Sequence, residues 1–283
     1  MASPNVFLRQ KKSATGRFVL RAGMRALAAV APRTADRLAA DLFCAPHRGR
    51  PSGPGGHRFD VFPGIAAWDW GEGPTVLLAH GWNGNAAQMA AFVDPLVWAG
   101  FYVVAFDQPA HGSSIGRRAT GFDFAEAILA VSRRVKPIHA IIGHSLGATA
   151  ATLALARGLK AERAVLLAPP AEMAHFARSF AGAIGLRRTD GVLRELRRMV
   201  GEELPDLRLL APALSVPALF LHDPADREVP FAQAQDLAAA WSGARLETLP
   251  GAGHSRILRN RDAILRAVAF VSRGQPAEAL RSA

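Results

Sequence analysis

Residues 138–159 read IHAIIGHSLGATAATLALARGL, and this stretch decides the fold. An apolar run that suits a buried strand leads into Gly143-His144-Ser145-Leu146-Gly147, and the residues after it favour a helix. A sharp strand-to-helix turn requires glycine two positions before and after the serine, because larger side chains would collide with neighbouring backbone. Such a turn holds the serine at a strained tip above a helix N-terminus, which favours developing negative charge. A glycine-rich chain also produces G-x-S-x-G by chance, but the strand–turn–helix setting favours Ser145 as a nucleophile.

Short apolar runs alternate with helical segments on both sides of this motif. This alternation predicts an α/β protein with a mostly parallel, eight-stranded sheet flanked by helices. The predicted strands are His57–Phe62, Ala66–Trp70, Thr75–Ala79, Tyr102–Phe106, Ile138–Ile142, Ala164–Ala168, Ala218–Leu221 and Arg245–Thr248. The predicted helices of this part are Asn85–Trp98, Phe122–Arg134, Leu146–Leu159, Ala232–Ala240 and Arg259–Ser272. The later strands are apolar on both faces, as buried parallel strands are.

The regular alternation of strands and helices is interrupted once by a longer segment. About 46 residues separate Pro169 from Val216, where a single helix would suffice. They predict two or more helices, near 172–184 and 189–203, in an insertion at about 170–215. In such sheets ligands bind at the carboxyl edge of the strands, so we expect a small helical lid above that edge.

Four apolar side chains of the insertion recur at steps of three or four residues, so they share one helix face. They are Met173, Phe176, Phe180 and Ile184. The stripe suits plain core packing, or walls of a pocket for an apolar acyl chain. We predict substrate contacts for Met173, Phe176 and Phe180.

Residues 1–56 are predicted to form a basic N-terminal segment, and 57–283 the α/β domain. The segment comprises a disordered tail over 1–15, a helix from Gly16 to Val30, a second helix from an N-cap at Thr34 to Leu42, and a linker over 46–56. In the first helix, Arg17, Arg21 and Arg25 share one side, and Val19, Leu20, Gly23, Leu27 and Val30 share the other. This pattern suits a helix docked on its own domain, which we favour, or one lying on a membrane surface.

The composition excludes several function classes. The net charge of +11 suggests a nucleic-acid partner. We predict none, because the basic residues are mostly dispersed arginines and no nucleic-acid motif accompanies them. Cys44 is the only cysteine, so an intramolecular disulfide is impossible, which fits a reducing cytoplasm. No run of about eighteen apolar residues indicates a membrane span. No metal-ligand spacing and no phosphate-binding loop is present, so we predict neither metal nor cofactor.

From about His57 to Ser272 the chain resembles the α/β-hydrolase superfamily. Besides the serine motif, residues 107–114, DQPAHGSS, are similar to the family's D-x-P-G-H-G-x-S turn, with Ala110 in place of the usual glycine. The resemblance implies that this turn is structural. It also implies the triad order Ser, Asp, His along the chain.

The resemblance identifies His254, in LPGAGH over 249–254, as the general base on the loop after the last strand. A neutral imidazole takes the serine proton and returns it to the leaving group. Two carboxylates compete for the third role. Asp226 is followed by two residues and then Val-Pro, as in the family, whereas Asp223 precedes a proline and suits the cap of a turn. We predict Asp226.

The family's oxyanion hole uses two backbone N–H groups, which the resemblance assigns here to Leu146 and Trp82. Trp82 follows His80-Gly81 on the loop after the strand Thr75–Ala79, and the glycine permits close approach of backbone to substrate. The alternative for this loop is an ordinary strand-to-loop turn. His144, beside the serine, is predicted to be a packed residue.

The fold hosts many chemistries, so the activity is inferred from the site. A serine nucleophile argues against haloalkane dehalogenase and epoxide hydrolase, which resemble this fold but use aspartate. We predict a carboxylesterase acting on an apolar ester through an acyl-serine. Thioesterase, monoacylglycerol-lipase-like, amidase or peptidase, and carbon–carbon hydrolase activities share the same triad. A non-catalytic receptor is disfavoured because all three triad candidates are present. The substrate and the oligomeric state are left open.

Overall fold

The computed structural model describes residues 14–47, 53–62, 64–135 and 137–273. An eight-stranded sheet forms the centre, in the order β1-β2-β4-β3-β5-β6-β7-β8. The strands are β1 His57–Val61, β2 Ile65–Trp70, β3 Thr75–Ala79, β4 Tyr102–Phe106, β5 Ile138–His144, β6 Ala161–Leu167, β7 Ala218–His222 and β8 Ala244–Thr248. Strand β2 pairs antiparallel with β1 and β4, and all the other pairs are parallel. The predicted eight-stranded, mostly parallel sheet is therefore confirmed.

The described residues form ten α-helices. They are α1 Ala14–Val30, α2 Pro32–Phe43, α3 Val93–Trp98, α4 Gly121–Arg134, α5 Leu146–Ala156, α6 Met173–Ala183, α7 Asp190–Val200, α8 Leu207–Leu210, α9 Phe231–Ala240 and α10 Arg261–Val271. The single helix predicted over 85–98 is instead a 3₁₀ segment, Ala86–Phe92, followed by α3. None of the described helices has both the length and the apolar character needed to cross a membrane.

Two apolar cores lie on opposite faces of the sheet, because successive side chains of a strand point to opposite sides. Leu77 and Ile141 face the core that includes α4 and α5, whereas Leu78 and Ile142 face the core that includes α3 and α10. All four side chains are fully buried. The β5 and β3 strands are therefore held at the middle of the molecule, and the loops that follow them lie at one edge.

A third apolar core joins the N-terminal helices to the insertion between β6 and β7. Met24 of α1 and Phe43 of α2 are buried with Phe180 of α6 and Leu193 of α7. The division at residue 56 stays a prediction, but α2 packs directly on the insertion helices.

The predicted N-cap of the second helix is wrong. The helix begins at Pro32 with Ala31 as the N-cap, so Thr34 lies inside its first turn. Proline suits the first helical position, because its missing N–H would have no partner there. The predicted disorder over 1–15 lies outside the described residues except at 14 and 15, where α1 begins, and so does the part of the linker over 48–52.

Candidate active site

Ser145 stands on a sharp turn between β5 and α5. Its φ of 51° and ψ of −124° lie in a region that non-glycine residues rarely adopt. A Cβ on Gly143 would lie 2.7 Å from the Cα of Ala148, and one on Gly147 would lie 2.3 Å from the carbonyl oxygen of Ala79. Both glycines are therefore required sterically, as the motif predicts. The Ser145 N–H donates to the Leu167 carbonyl at 2.8 Å, which fastens the turn to β6.

His254 connects this serine to a buried carboxylate. Its Nε2 lies 3.0 Å from Ser145 Oγ, and its Nδ1 lies 2.8 Å from Asp226 Oδ2. The three residues come from loops that follow β5, β7 and β8. Parallel strands end at the same edge of a sheet, so residues more than a hundred positions apart meet there. The structure thus brings together the three side chains that the sequence singled out.

Asp226 accepts hydrogen bonds on both carboxylate oxygens. Oδ1 accepts from the backbone N–H groups of Glu228 and Val229, at 2.7 and 3.1 Å. Oδ2 accepts from His254 and lies 3.3 Å from Nε2 of His222. Burial alone would raise the pKa of this carboxyl, but the hydrogen bonds from His222 and His254 outweigh burial and hold it well below its usual range. Asp226 is therefore ionised at neutral pH.

Asp223 has different partners. Its Oδ1 accepts from the Ala225 N–H at 2.9 Å, which closes the predicted turn, and its Oδ2 accepts from the Gly253 N–H at 2.6 Å. Burial opposes ionisation, but these backbone hydrogen bonds lower the pKa of Asp223. No described hydrogen bond joins its carboxylate to the His254 ring. Asp223 therefore holds the loop that carries His254 rather than the imidazole itself.

The residues predicted for the oxyanion hole lie beside Ser145. Trp82 and Leu146 line the same cavity as the serine. Leu146 is the first residue of α5, and N–H groups of a first helical turn have no acceptor within the helix. A Cβ on Gly81 would lie 3.0 Å from Ser145 Cβ, so glycine favours this close approach of the loop.

Three histidines fix the backbone around the serine. His80 donates from Nδ1 to the Gly81 carbonyl at 2.7 Å and accepts the Gln108 N–H on Nε2 at 2.9 Å. His111 accepts the Asn83 N–H at 3.0 Å, and its ring lies 5.0 Å from that of Trp82. His144 donates from Nε2 to the His254 carbonyl at 3.0 Å and is buried.

The turn over 107–114 is held by Asp107. Its two carboxylate oxygens accept the N–H groups of Ala86 and Ser113, both at 2.7 Å. Ala110 has a φ of 65°, in the left-handed region that favours glycine. This conformation explains why the family's turn usually has glycine at this position.

A narrow apolar cavity of about 50 Å³ opens beside Ser145. Its lining includes Met173 and Phe176 of α6, two of the residues for which the sequence predicts substrate contacts. Phe180, the third predicted contact, is not among the residues that line this cavity. One turn further along α6, its ring packs 5.5 Å from that of Phe43, in the third core.

Part of the wall of this cavity comes from the N-terminal segment, which the sequence pattern does not connect to the site. Phe43 and Cys44, at the end of α2, both line it. Burial raises the pKa of the Cys44 thiol to about 12, so this wall carries no charge at neutral pH. Within the described residues, no group of three or more His, Cys, Asp or Glu side chains could hold a metal ion.

Comparison with known proteins identifies the family. A model of the alpha/beta hydrolase family matches residues 76–267, which is more than half of the chain. The protein belongs to the alpha/beta hydrolase family. The resemblance predicted from the serine motif is thereby confirmed. No curated protein sequence matches this hydrolase.

Many solved structures resemble this hydrolase. An esterase from Pyrococcus furiosus is 20% identical with a TM-score of 0.62, over 81% of this chain and 98% of the other. A membrane phospholipase A, described as a bacterial virulence factor, is 19% identical with a TM-score of 0.60, over 93% and 96%. A bromoperoxidase from Bacillus anthracis is 16% identical with a TM-score of 0.59, over 77% and 99%. At such identities the likeness shows the fold alone.

The free energy of unfolding of this hydrolase is expected to fall as the pH drops from about 6.5 towards 4. Burial, reinforced by neighbouring histidines, lowers the pKa of His80 and of His144 to about 3. Unfolded histidine binds a proton near pH 6.5, so below that pH the unfolded state binds more protons than the folded state. The loss is about 1.4 kcal/mol per pH unit for each histidine. Asp226, whose pKa is lowered, adds its own loss only below about pH 4, where unfolded aspartate binds a proton.

Urea unfolding between about pH 7 and pH 4.5 measures this dependence. Replacement of the exposed His47 by glutamine is the control and should leave the slope unchanged. A free energy of unfolding that stays level over this range would contradict the prediction.

Proposed function

We propose that the protein hydrolyses carboxylic esters of apolar acids through an acyl-serine intermediate. One observation carries the proposal: the hydrogen-bonded chain from Ser145 Oγ through His254 to Asp226 opens onto a cavity with apolar walls. Proteins of this fold carry descriptions as different as esterase and bromoperoxidase. The reaction is therefore argued from the site.

In the proposed first step, Ser145 Oγ attacks the ester carbonyl carbon while His254 Nε2 takes its proton. The 3.0 Å separation of these atoms is within hydrogen-bonding reach. Asp226 accepts a hydrogen bond from the Nδ1–H group of the imidazole, which fixes the tautomer with a free lone pair on Nε2. The ionised carboxylate then stabilises the imidazolium that forms.

Negative charge develops on the former carbonyl oxygen at this stage. The N–H groups of Leu146 and Trp82 are the proposed donors to it, and the N-terminus of α5 adds a favourable dipole. Such donors belong to backbone that is already fixed, by His80 and His111 on one loop and by β5 on the other. They need no reorganisation as the charge forms, and loss of one comparable donor costs roughly 3–4 kcal/mol of barrier.

The intermediate collapses when His254 gives its proton to the departing alkoxide oxygen. An alcohol leaves and the acyl group stays on Ser145. A water molecule then attacks the acyl-serine, His254 takes its proton, and the acid is released with the proton returned to Ser145 Oγ. These steps balance without a metal or a redox partner.

The walls of the cavity support an apolar acyl group. Phe43, Met173 and Phe176 contribute aromatic and thioether surface, and the thiol of Cys44 is neutral at physiological pH. Each methylene buried there contributes about 0.8 kcal/mol. No charged side chain lines the cavity among the described residues, so a charged acyl group would have no partner.

A panel of p-nitrophenyl esters of increasing acyl length, with a matched thioester and a matched amide, tests this proposal. We expect measurable turnover of the esters, with medium-length acyl groups preferred over acetate, and labelling by a fluorophosphonate. Turnover of the thioester or amide in preference to the ester would contradict the proposal and would make that compound's class the substrate class. Absence of both turnover and labelling would contradict the proposed catalysis and would favour a protein that only binds its ligand.

Phe176→Ala is expected to lower kcat/KM for medium-length esters by roughly tenfold more than for acetate, because it removes an apolar wall of the cavity. Phe180→Ala is the matched control, since it removes the same ring one turn further along α6. It should cost roughly 3–5 kcal/mol of stability by leaving a gap against Phe43, but should keep the ratio between the two esters. An equal change of the ratio in both variants would contradict a direct contact of Phe176 with the acyl group.

A further inference from the structure

Helix α1 has two apolar faces, and only one of them is covered. Leu20, Met24 and Leu27 pack into the third core. A second set, here called the α1 apolar face, is exposed and lies within an arc of roughly 120° at 3.6 residues per turn. It consists of Phe18, Val19, Ala22, Ala26, Ala29 and Val30. The sequence pattern predicts Leu20 and Leu27 on one face with Val19 and Val30, but the structure separates them.

This exposure is concentrated rather than scattered. Phe18 is 72% exposed and Val30 83%, and Val19 lies beside them on the same face. The exposed large apolar side chains elsewhere among the described residues are distributed over different helices and loops; they are Leu38, Phe62, Trp98, Ile115, Leu209 and Leu265. Single exposed apolar residues are ordinary, whereas a contiguous face marks an interaction site.

Arginines border the α1 apolar face along one edge. Arg21 and Arg25 lie there, and the main chain of Arg21 contacts the corner between α6 and α7 at Gly185. That corner carries the exposed Arg187 and Arg188. None of these four arginines forms an ion pair with a residue that the structure describes.

The same edge opens into a cleft between α1, α2 and α7. The cleft has a volume of about 680 Å³. Arg25, Arg187, Arg188 and Arg194 line it, against Asp36 and Asp190, so the balance is positive. The chain adds to this charge, because residues 1–35 contain seven lysines and arginines and no acidic residue.

We propose that the α1 apolar face and the adjoining arginine cleft form a docking surface for an anionic phospholipid bilayer. An apolar helix face bordered by unpaired arginines inserts its side chains among acyl chains, while the arginines contact lipid phosphates. Charge decides between a bilayer and a second copy of the chain: a second copy would bring the same positive charge against this face, and an anionic bilayer brings the opposite charge. This docking does not depend on the proposed catalysis.

Flotation of the full chain with vesicles tests the proposal. One set is phosphatidylcholine alone, and the other is an equal mixture of phosphatidylcholine and phosphatidylglycerol. We expect flotation with the anionic set, weakened by salt, and little with the neutral set. The double variant Phe18→Ser, Val19→Ser should lower the partition coefficient roughly tenfold or more. Trp98→Ser, at the same 72% exposure, is the control and should change nothing.

A charge variant separates the two parts of the surface. Arg187→Gln with Arg188→Gln should weaken binding to anionic vesicles roughly tenfold, and Arg133→Gln with Arg134→Gln, an exposed pair on α4, should not. Thermal unfolding checks that each variant is folded. Absence of flotation in the wild type, or equal losses in variants and controls, would overturn the proposal. A dimer that light scattering finds in the wild type, and that Phe18→Ser dissociates, would assign the face to a second copy instead.

Discussion

Ser145→Ala is expected to lower ester turnover by on the order of 10⁶-fold, the loss seen when a comparable serine nucleophile is removed. Among the described side-chain oxygens, only Ser145 Oγ and the carboxylate of Asp226 lie within hydrogen-bonding distance of the His254 ring, and they occupy opposite nitrogens. Without Oγ the base has no group to deprotonate at the attack position. The fold should survive, because the change removes only Oγ and alanine already has a positive φ at Ala110 and Ala168, 65° and 47°.

Turnover of p-nitrophenyl esters and fluorophosphonate labelling measure this effect, and thermal unfolding checks the fold. Ser132→Ala, a partly buried serine on α4 whose hydroxyl donates to the Leu129 carbonyl, is the matched control and should keep both signals. Labelling that persists in Ser145→Ala would move the nucleophile to another residue.

The sheet and the serine turn follow from local pattern, and for that reason the sequence predicted them well. Short apolar runs that alternate with helices fit few structures other than buried strands. Strands β3 and β4 have the predicted bounds. The glycines around Ser145 are demanded by backbone contacts that any chain making this turn must meet. Residues adjacent in the sequence determine local geometry of this kind.

The walls of the cavity could not be predicted in this way. The periodic stripe on α6 shows correctly that Met173, Phe176 and Phe180 share a side of the helix, but not which neighbour each one meets. Phe176 lines the cavity beside Ser145, whereas Phe180, one turn further along the helix, packs on Phe43. Phe43 itself is remote in sequence and precedes a linker, so only the tertiary packing of α2 on the insertion reveals it.

His222 illustrates the same limit inside the site. The sequence shows a histidine four residues before Asp226 at the end of a strand, which a packed core residue would also match. The chain folds back so that its Nε2 donates to the Val229 carbonyl at 3.1 Å and lies 3.3 Å from Asp226 Oδ2. Its contact with the carboxylate depends on a turn whose shape no single residue specifies.

Asp226→Asn is expected to lower kcat roughly 10⁴-fold, as the equivalent change does in a comparable serine hydrolase. Every polar partner of this carboxylate is a donor: Glu228 and Val229 on Oδ1, and His222 and His254 on Oδ2. An amide has one oxygen, which satisfies the two backbone N–H groups only if its NH₂ group faces the imidazoles. Nδ1 of His254 must then accept, so the proton moves to Nε2, which can no longer take the proton of Ser145.

Asp223→Asn supplies the comparison that decides between the two carboxylates. It weakens the hydrogen bonds to Ala225 and Gly253, each worth roughly 1–3 kcal/mol, and so should lower the melting temperature while reducing kcat far less than Asp226→Asn does. The pH dependence of kcat separates the effects further. The wrong tautomer removes the base at every pH, whereas a loosened loop leaves a working imidazole and an unchanged profile. If Asp223→Asn proves the more damaging to kcat, or if Asp226→Asn keeps the wild-type rate, Asp226 is not the residue that orients His254 in catalysis, despite the 2.8 Å contact between them.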